Sequence, residues 1–321
     1  MTAKKLHCIF FLISVVGSLS LGCTKKTISA AKSESALIVL GTVQDAGSPH
    51  IACRKSCCAA LFDTSNPADR QVTALGIFDA STRKKYLFEA SPNMTQQLKK
   101  LKSFGSAREQ ELPDGIFLTH AHIGHYAGLM YLGKEATNSS NIPVYAMPKM
   151  RTYLSNNGPW SQLVETNNIK LMPLEQSQTV SLSKELEVTP FLVPHRDEYS
   201  ETVGYKIKGP NKTALFIPDI DKWEKWETSI IESVKQVDYA FLDATFYSGA
   251  EMNFRDISEI PHPFIIETMA LFKDQPKSEK NKIVFIHLNH TNPALDPLSQ
   301  ATNKIEKNGF QVARINQVFA L

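Results

Sequence analysis

The chain has 321 residues, enough for one large domain with a substantial core or for two small ones. Hydrophobic and charged fractions of 42% and 21% exclude a disordered chain. The formal charge is +3, falling to +1 without Lys4 and Lys5, and no basic stripe carries interleaved aromatics, so a small-molecule substrate rather than nucleic acid is the expected partner.

The first stretch, MTAKKLHCIFFLISVVGSLSLGC, has a short basic start, an apolar run from Leu6 to Val16 and small residues leading to Cys23. It reads as a signal peptide over residues 1–22, with an apolar run too short to remain as a membrane span. Gly22-Cys23 after Leu19-Ser20-Leu21 resembles a bacterial lipoprotein cleavage site, although Ser20 stands where that pattern prefers a branched apolar residue. The expectation is an exported protein, anchored in the cell envelope through a lipid on Cys23 and followed by a flexible polar tether over 23–35. An ordinary signal peptide with an incidental cysteine is the alternative.

From Ala36 onward, short β-branched runs alternate with amphipathic stretches. ALIVLGT (36–42), ALGIFDA (74–80) and KYLFEA (85–90) predict strands, the last running into SPN, a helix-start signal. Met94 to Phe104 has helical spacing, and GIFLT (115–119) predicts a short apolar strand followed by a helix from His125 to Gly133. Further strands are expected at 186–194, 203–209, 213–218, 239–244 and 282–288, with helices over Lys222–Val237, Pro263–Phe272 and Pro297–Lys307. This alternation implies one α/β domain over 36–321, its sheets covered by helices.

LTHAHIGHYAG holds His120, His122 and His125 within six positions. His120, His195, Asp219 and His287 each stand at or just past the end of an apolar run, where strand ends converge on one rim of a sheet. One such histidine is ordinarily a hydrogen-bonded core or surface residue. Four such positions with two companion histidines point to metal. Neutral imidazole and carboxylate suit zinc, iron or manganese, and a bound divalent ion makes hydroxide available near pH 7 for attack on an ester, amide or phosphodiester. His120 and His122, two apart on an extended loop, can reach one ion, and His125 a second.

The order of these residues resembles that of the metallo-β-lactamase fold superfamily, through THAHIGH, VPH ending at His195, FIPD ending at Asp219 and FIH ending at His287. The resemblance implies an αββα sandwich. In it His120, His122 and His195 hold a first metal, His125 and His287 a second, and Asp219 bridges both and serves catalysis. VLGTVQDAGSP, FEASPNM and IHLNHTNPALD look like the pyrroloquinoline quinone biosynthesis B group. A second relative, the cyclic phosphodiesterase of the carbon–phosphorus lyase pathway, pairs a cysteine cluster with a histidine three residues after the last active-site His. CRKSCC (Cys53, Cys57, Cys58) and His290 match that arrangement, which would make a separate structural zinc site. The spacing departs from the C-x-C-x-x-C of that relative, and in an exported protein two of these cysteines could instead form a disulfide.

Gly124 breaks the pattern, standing where the superfamily has an Asp that binds the second metal. His125, His287 and Asp219 remain for that ion, so one or two divalent ions are expected in the cleft, zinc first, iron or manganese otherwise. Gly124→Asp is then expected to tighten the second site. Asp197 and Glu198, close behind His195, offer either a compensating carboxylate or a solvated turn. His262, just before Pro263 at an expected helix start, matches a histidine that contacts phosphate and protonates the leaving oxygen in phosphodiesterase relatives. Helix capping or a surface position is its alternative. The leading functional expectation is a metallo-hydrolase using metal-bound hydroxide on an ester-type or phosphodiester substrate. An iron-dependent oxidative or carrier protein of quinone cofactor assembly, and a non-catalytic metal-binding envelope lipoprotein, are the competing readings.

Overall fold

The structure is a computed structural model, described for residues 34–62, 70–105, 110–252 and 260–321. The expected signal peptide, Cys23 and most of the expected tether lie outside the described residues.

The apolar runs build two sheets of seven strands each. In chain order the first contains β1 (Ala36–Gly41), β2 (Ala74–Asp79), β3 (Lys84–Phe88), β4 (Gly115–Phe117), β5 (Ile142–Ala146) and β6 (Ile169–Pro173). The second contains β7 (Val180–Ser181), β8 (Glu187–Leu192), β9 (Val203–Lys208), β10 (Thr213–Ile217), β11 (Tyr239–Asp243), β12 (Ile283–Ile286) and β13 (Gln311–Val312). The last strand, β14 (Val318–Ala320), returns to the first sheet beside β1. The spatial orders are β14-β1-β2-β3-β4-β5-β6 and β13-β12-β11-β10-β9-β8-β7.

The period of two along each strand explains the layers. In β1, Leu37 and Val39 enter the core between the sheets, beside Phe88, Phe117, Tyr205 and Phe216. Ile38 and Leu40 face the other way, toward Leu98 and Leu101 of the helix Met94–Lys102. On the far side, Leu215, Ile217 and Phe285 pack against Ile265, Phe272 and Ile305. Strands buried on both faces read as nearly continuous apolar runs, which is why these segments were legible. The result is the expected αββα sandwich.

The middle layer also fixes the site. Phe88 stacks on Phe117 with ring centroids 4.8 Å apart, and Tyr205 meets both edge-on. Burying each such ring stabilises the layer by about 1.5–3 kcal/mol. The Tyr205 hydroxyl donates to the Leu118 carbonyl, two residues before His120, so the second sheet grips the histidine loop directly.

Two expected helices differ. Residues 222–237 split into a short turn, Trp223–Lys225, and the helix Ile230–Lys235. Trp223 is pinned by its indole N–H donating to Thr268 Oγ1 at 2.9 Å, and Ser229 caps a fresh start. The helix expected from His125 begins at Ile123 and passes into a 3₁₀ turn over Ala127–Leu132. There Gly128 N–H donates to the Ala90 carbonyl at 2.7 Å, and a Cβ at 128 would meet the Ser91 carbonyl at 2.2 Å. That close approach draws the loop against the FEASPN segment. Among the described residues no helix is long and apolar enough to cross a membrane.

Candidate metal centre

The chain leaves β4 through Thr119-His120-Ala121-His122, where the Ala121 N–H donates to Ser200 Oγ at 2.8 Å. His122 ends the extended stretch, and the helical turn Ile123–Tyr126 brings His125 back over His120, ring centroids 4.3 Å apart. His195 follows β8, Asp219 follows β10 and His287 follows β12, so all six expected ligands meet at one rim of the sandwich.

Asp219 is the centre of the group. His120 Nε2 lies 3.5 Å from its Oδ2 and 2.8 Å from His122 Nδ1. His195 Nε2 lies 3.9 Å from its Oδ1. His120, His122, His195 and Asp219 thus form one donor set, with all ligand atoms within 4.8 Å of one another. On the other side, His125 Nε2 and His287 Nε2 lie 2.9 and 3.4 Å from Asp219 Oδ2.

The acid missing at 124 arrives from another part of the chain. Asp45 Oδ1 lies 2.9 Å from His125 Nε2 and 3.2 Å from His287 Nε2, so Asp45, His125, Asp219 and His287 form a second donor set. The segment after β1 is strapped to the strand end that carries His287: Leu288 N–H donates to the Thr42 carbonyl at 2.8 Å and Gln44 N–H to the Leu288 carbonyl at 3.0 Å. A Cβ at Gly124 would lie 2.5 Å from the Asp45 Cα and 2.6 Å from its carboxyl carbon. Glycine at 124 is the space that admits Asp45.

This decides between the two alternatives for Asp197 and Glu198 and corrects the expectation for Gly124→Asp. Asp197 accepts from Thr202 Oγ1 at 2.8 Å and joins neither donor set, while Glu198 is half-exposed at the rim and touches His122 Nε2 at 3.1 Å. Neither supplies the second set. Gly124→Asp would collide with the existing carboxylate rather than add one.

Several features fit a bound divalent ion. His195 has a buried side chain, and neither ring nitrogen has a hydrogen-bond partner among the described residues. Asp219 Oδ1 is likewise buried without one. Orphaned buried polar atoms are costly unless something pairs with them. Burial pushes His195 down to about 4, and burial with the neighbouring His125 holds His120 well below the usual range, which keeps both in the neutral ligand form. Burial alone would raise Asp45 and Asp219, yet the surrounding histidines hold both carboxyls well below their ordinary values. Burial alone would lower His125, but Asp45 and Glu89 outweigh it and raise its pKa well above the ordinary value. The pocket among these carboxylates calls for positive charge.

Supporting residues that the sequence did not single out complete the site. Glu89, fully buried, accepts from Thr119 Oγ1 at 2.5 Å, and Thr119 Oγ1 contacts His120 Nδ1 at 2.9 Å. Glu89 Oε1 also lies 3.3 Å from His125 Nδ1 without forming a hydrogen bond. Thr245 Oγ1 contacts His287 Nδ1 at 3.0 Å. Asp243 holds His262 Nδ1 at 2.8 Å, and His262 Nδ1 also lies 3.3 Å from Asp219 Oδ1. His262 therefore belongs to the cleft. The helix after it begins at Ile265, where the Glu267 side chain accepts from the Phe264 N–H, so His262 does not cap it.

Cys53, Cys57, Cys58 and His290 come together as a separate group, ligand atoms again within 4.8 Å of one another. The three thiols are free, Cys57 Sγ lies 4.0 Å from Cys58 Sγ, and Cys58 Sγ accepts from the His50 N–H at 3.2 Å. Burial and the adjacent Cys58 push the Cys57 thiol up to about 11, while the Lys55 backbone N–H lowers that of Cys53. Three sulfurs and one imidazole match a closed tetrahedral zinc set.

The fold and the shared-aspartate cleft define a class, and comparison agrees: the chain matches the beta-lactamase superfamily domain over residues 84–288 and belongs to that family. Asp45 and the cysteine loop precede the matched stretch. Within the class, the chain is similar to coenzyme PQQ synthesis protein B. It is 24% identical to the protein of Xanthomonas axonopodis pv. citri (strain 306) over 310 residues, covering 89% of this chain and 99% of the relative. For the protein of Gluconobacter oxydans (strain 621H) the figures are 26% over 308 residues, 89% and 98%. Among solved structures, zinc-bound PqqB from Methylobacterium extorquens aligns with a TM-score of 0.73 at 21% identity, covering 89% of this chain and all of that one. A diphosphatase from the PhnP family aligns with a TM-score of 0.64 at 19% identity, covering 90% and 97%.

Proposed function

We propose that this protein is a metal-dependent hydrolase acting on an ester-type or phosphodiester substrate. The observation that carries this reading is the pair of donor sets sharing Asp219, the second completed by Asp45. His120, His122 and His195 would hold one ion and Asp45, His125 and His287 another, with Asp219 between them. Bound divalent ions supply Lewis acidity and lower the pKa of coordinated water toward neutrality. Thr119, held by Glu89, orients His120 and Thr245 orients His287, and Asp243 anchors Nδ1 of His262 so that Nε2 is left for substrate. His262 lines an open cavity beside the cleft, where it can contact and protonate a leaving oxygen. Metal analysis of the purified chain, followed by assays on phosphodiester, ester and lactam substrates, tests the proposal. Turnover of a phosphodiester or ester that disappears on chelation and returns with zinc, manganese or iron supports it; a metal-loaded protein inert toward all three classes contradicts it.

A role in quinone cofactor assembly is the second reading, favoured by a likeness that runs over nearly the whole length of relatives named for PQQ synthesis. Oxygen consumption by the iron-loaded protein without hydrolysis would select it. We also propose export and lipid anchoring at Cys23, from the pattern of the first 23 residues. Mass analysis of the N-terminal peptide from the native host tests this: an acylated Cys23 supports it, an unmodified upstream sequence contradicts it.

A further inference from the structure

We infer that the substrate carries an oxyanionic group set apart from its scissile bond, and that Lys55 and Arg196 recognise it. The inference rests on the hydrolase reading and adds a substrate class to it. A cavity of about 540 Å³ adjoins the cleft, and His262 forms part of its wall. Lys55, from the loop between Cys53 and Cys57, and Arg196, the residue after His195, line the same cavity. Both are exposed, and among the described residues neither side chain forms a salt bridge or side-chain hydrogen bond, although Lys55 attracts Glu251 and Arg196 attracts the half-exposed Glu198 at longer range. Opposing them is one carboxylate, Glu251, which is already engaged. Its Oε1 accepts from the Tyr247 and Ser248 N–H groups at 2.6 and 3.2 Å, and its Oε2 from Thr291 Oγ1 at 2.9 Å. The remaining polar wall is His50, Asn289 and His290. Two unpaired cations facing a satisfied acid leave a surplus of positive charge, which suits a phosphate or carboxylate arm. An anion at Lys55 and Arg196 would sit in the cavity whose wall includes His262, within which the ester linkage could reach His262 and the donor sets. The cysteine loop then does more than clasp the fold, because it also sets the position of Lys55.

The test uses the full chain and paired p-nitrophenyl phosphodiesters whose second alcohol ends in a hydroxyl, a carboxylate or a phosphate. The wild-type protein should prefer the charged arms by about tenfold or more in kcat/KM, mainly through KM, since one charge-assisted contact is worth roughly that factor. In Lys55→Ala and Arg196→Ala the preference should shrink, and in the double variant it should approach one. Preference for phosphate over carboxylate would identify the arm. Hydrolysis with no charged-arm preference in wild type, or a preference surviving in the double variant, overturns the inference. If none of the diesters is hydrolysed, the hydrolase reading is left to the ester and lactam assays, and the cavity is judged separately by calorimetry with inorganic phosphate. Binding weakened about tenfold or more in the double variant then supports the inference, and equal binding overturns it.

Discussion

The cleft and the cysteine loop both gather metal-ligand side chains, yet they are built in opposite ways. In the cleft, Asp219, His120 and His287 are buried at or just past strand ends, His125 is buried on the short helix Ile123–Tyr126, and the His195 side chain is buried. The two histidine-rich donor sets share Asp219 beside an open cavity. The cysteine group takes its three sulfurs from Cys53 and the first turn of the short helix Ser56–Phe62, and its imidazole from the segment after β12, which leaves no open position in a tetrahedral set. The first arrangement suits chemistry and the second suits a clasp. His287 and His290, three residues apart, belong one to each, so β12 couples the two.

The largest effect that separates the regions is expected at Asp219, the residue common to both cleft sets. Asp219→Asn should lower hydrolysis on the order of a thousandfold, because it removes a ligand worth several kcal/mol of charge stabilisation. Metal analysis should show loss from the cleft while the cysteine site keeps its ion. Equal loss from both sites would mean that the regions are not independent.

Asp45→Asn should cost about a hundredfold in activity and close to one ion per chain, whereas Asp197→Ala and Glu198→Ala should stay within severalfold of wild type. A reversed ranking, with Glu198→Ala the more damaging, would place the compensating acid at the rim after all. Gly124→Asp comes next. Its Cβ has no room beside Asp45, and overpacking of that kind typically costs about 1–3 kcal/mol. Thermal unfolding should therefore show a lower Tm, and metal content should fall rather than rise.

Cys57→Ser should give the smallest catalytic change. Loss of the clasp should lower Tm by several degrees and release one zinc, with the cleft ions retained and kcat within a few-fold. Loss of cleft metal in that variant would turn the clasp into part of the catalytic centre.

Much of the cleft was legible because its ligands end apolar runs: GIFLT before His120, FLVP before His195, ALFIP before Asp219 and IVFI before His287. Asp45 was not. It stands four residues beyond β1 in a loop without ligand spacing, and it reaches the site through the Thr42–Gln44 strap on Leu288, a contact between residues more than two hundred positions apart. Glu89 and Asp243 also end strands, so the same rule applied to carboxylates as strictly as to histidines would have found both. The β5–β6 region escaped for another reason. Its strands and the helices Pro148–Asn156 and Trp160–Glu165 are short and punctuated by Pro, Asn and Gly, which blurs both periods. The Lys222–Val237 helix failed because the buried contact of Trp223 with Thr268 overrode local spacing.

Anomalous diffraction at the zinc edge from crystals of the metal-loaded protein tests the central claim most directly. That claim is that Asp45 occupies the place of the acid absent at 124. The account predicts an ion bound by Asp45, His125, Asp219 and His287, with the Asp45 oxygen at about 2.0–2.2 Å. An ion held by His125 and His287 with Asp45 turned away, and Glu198 or solvent in its place, would contradict it.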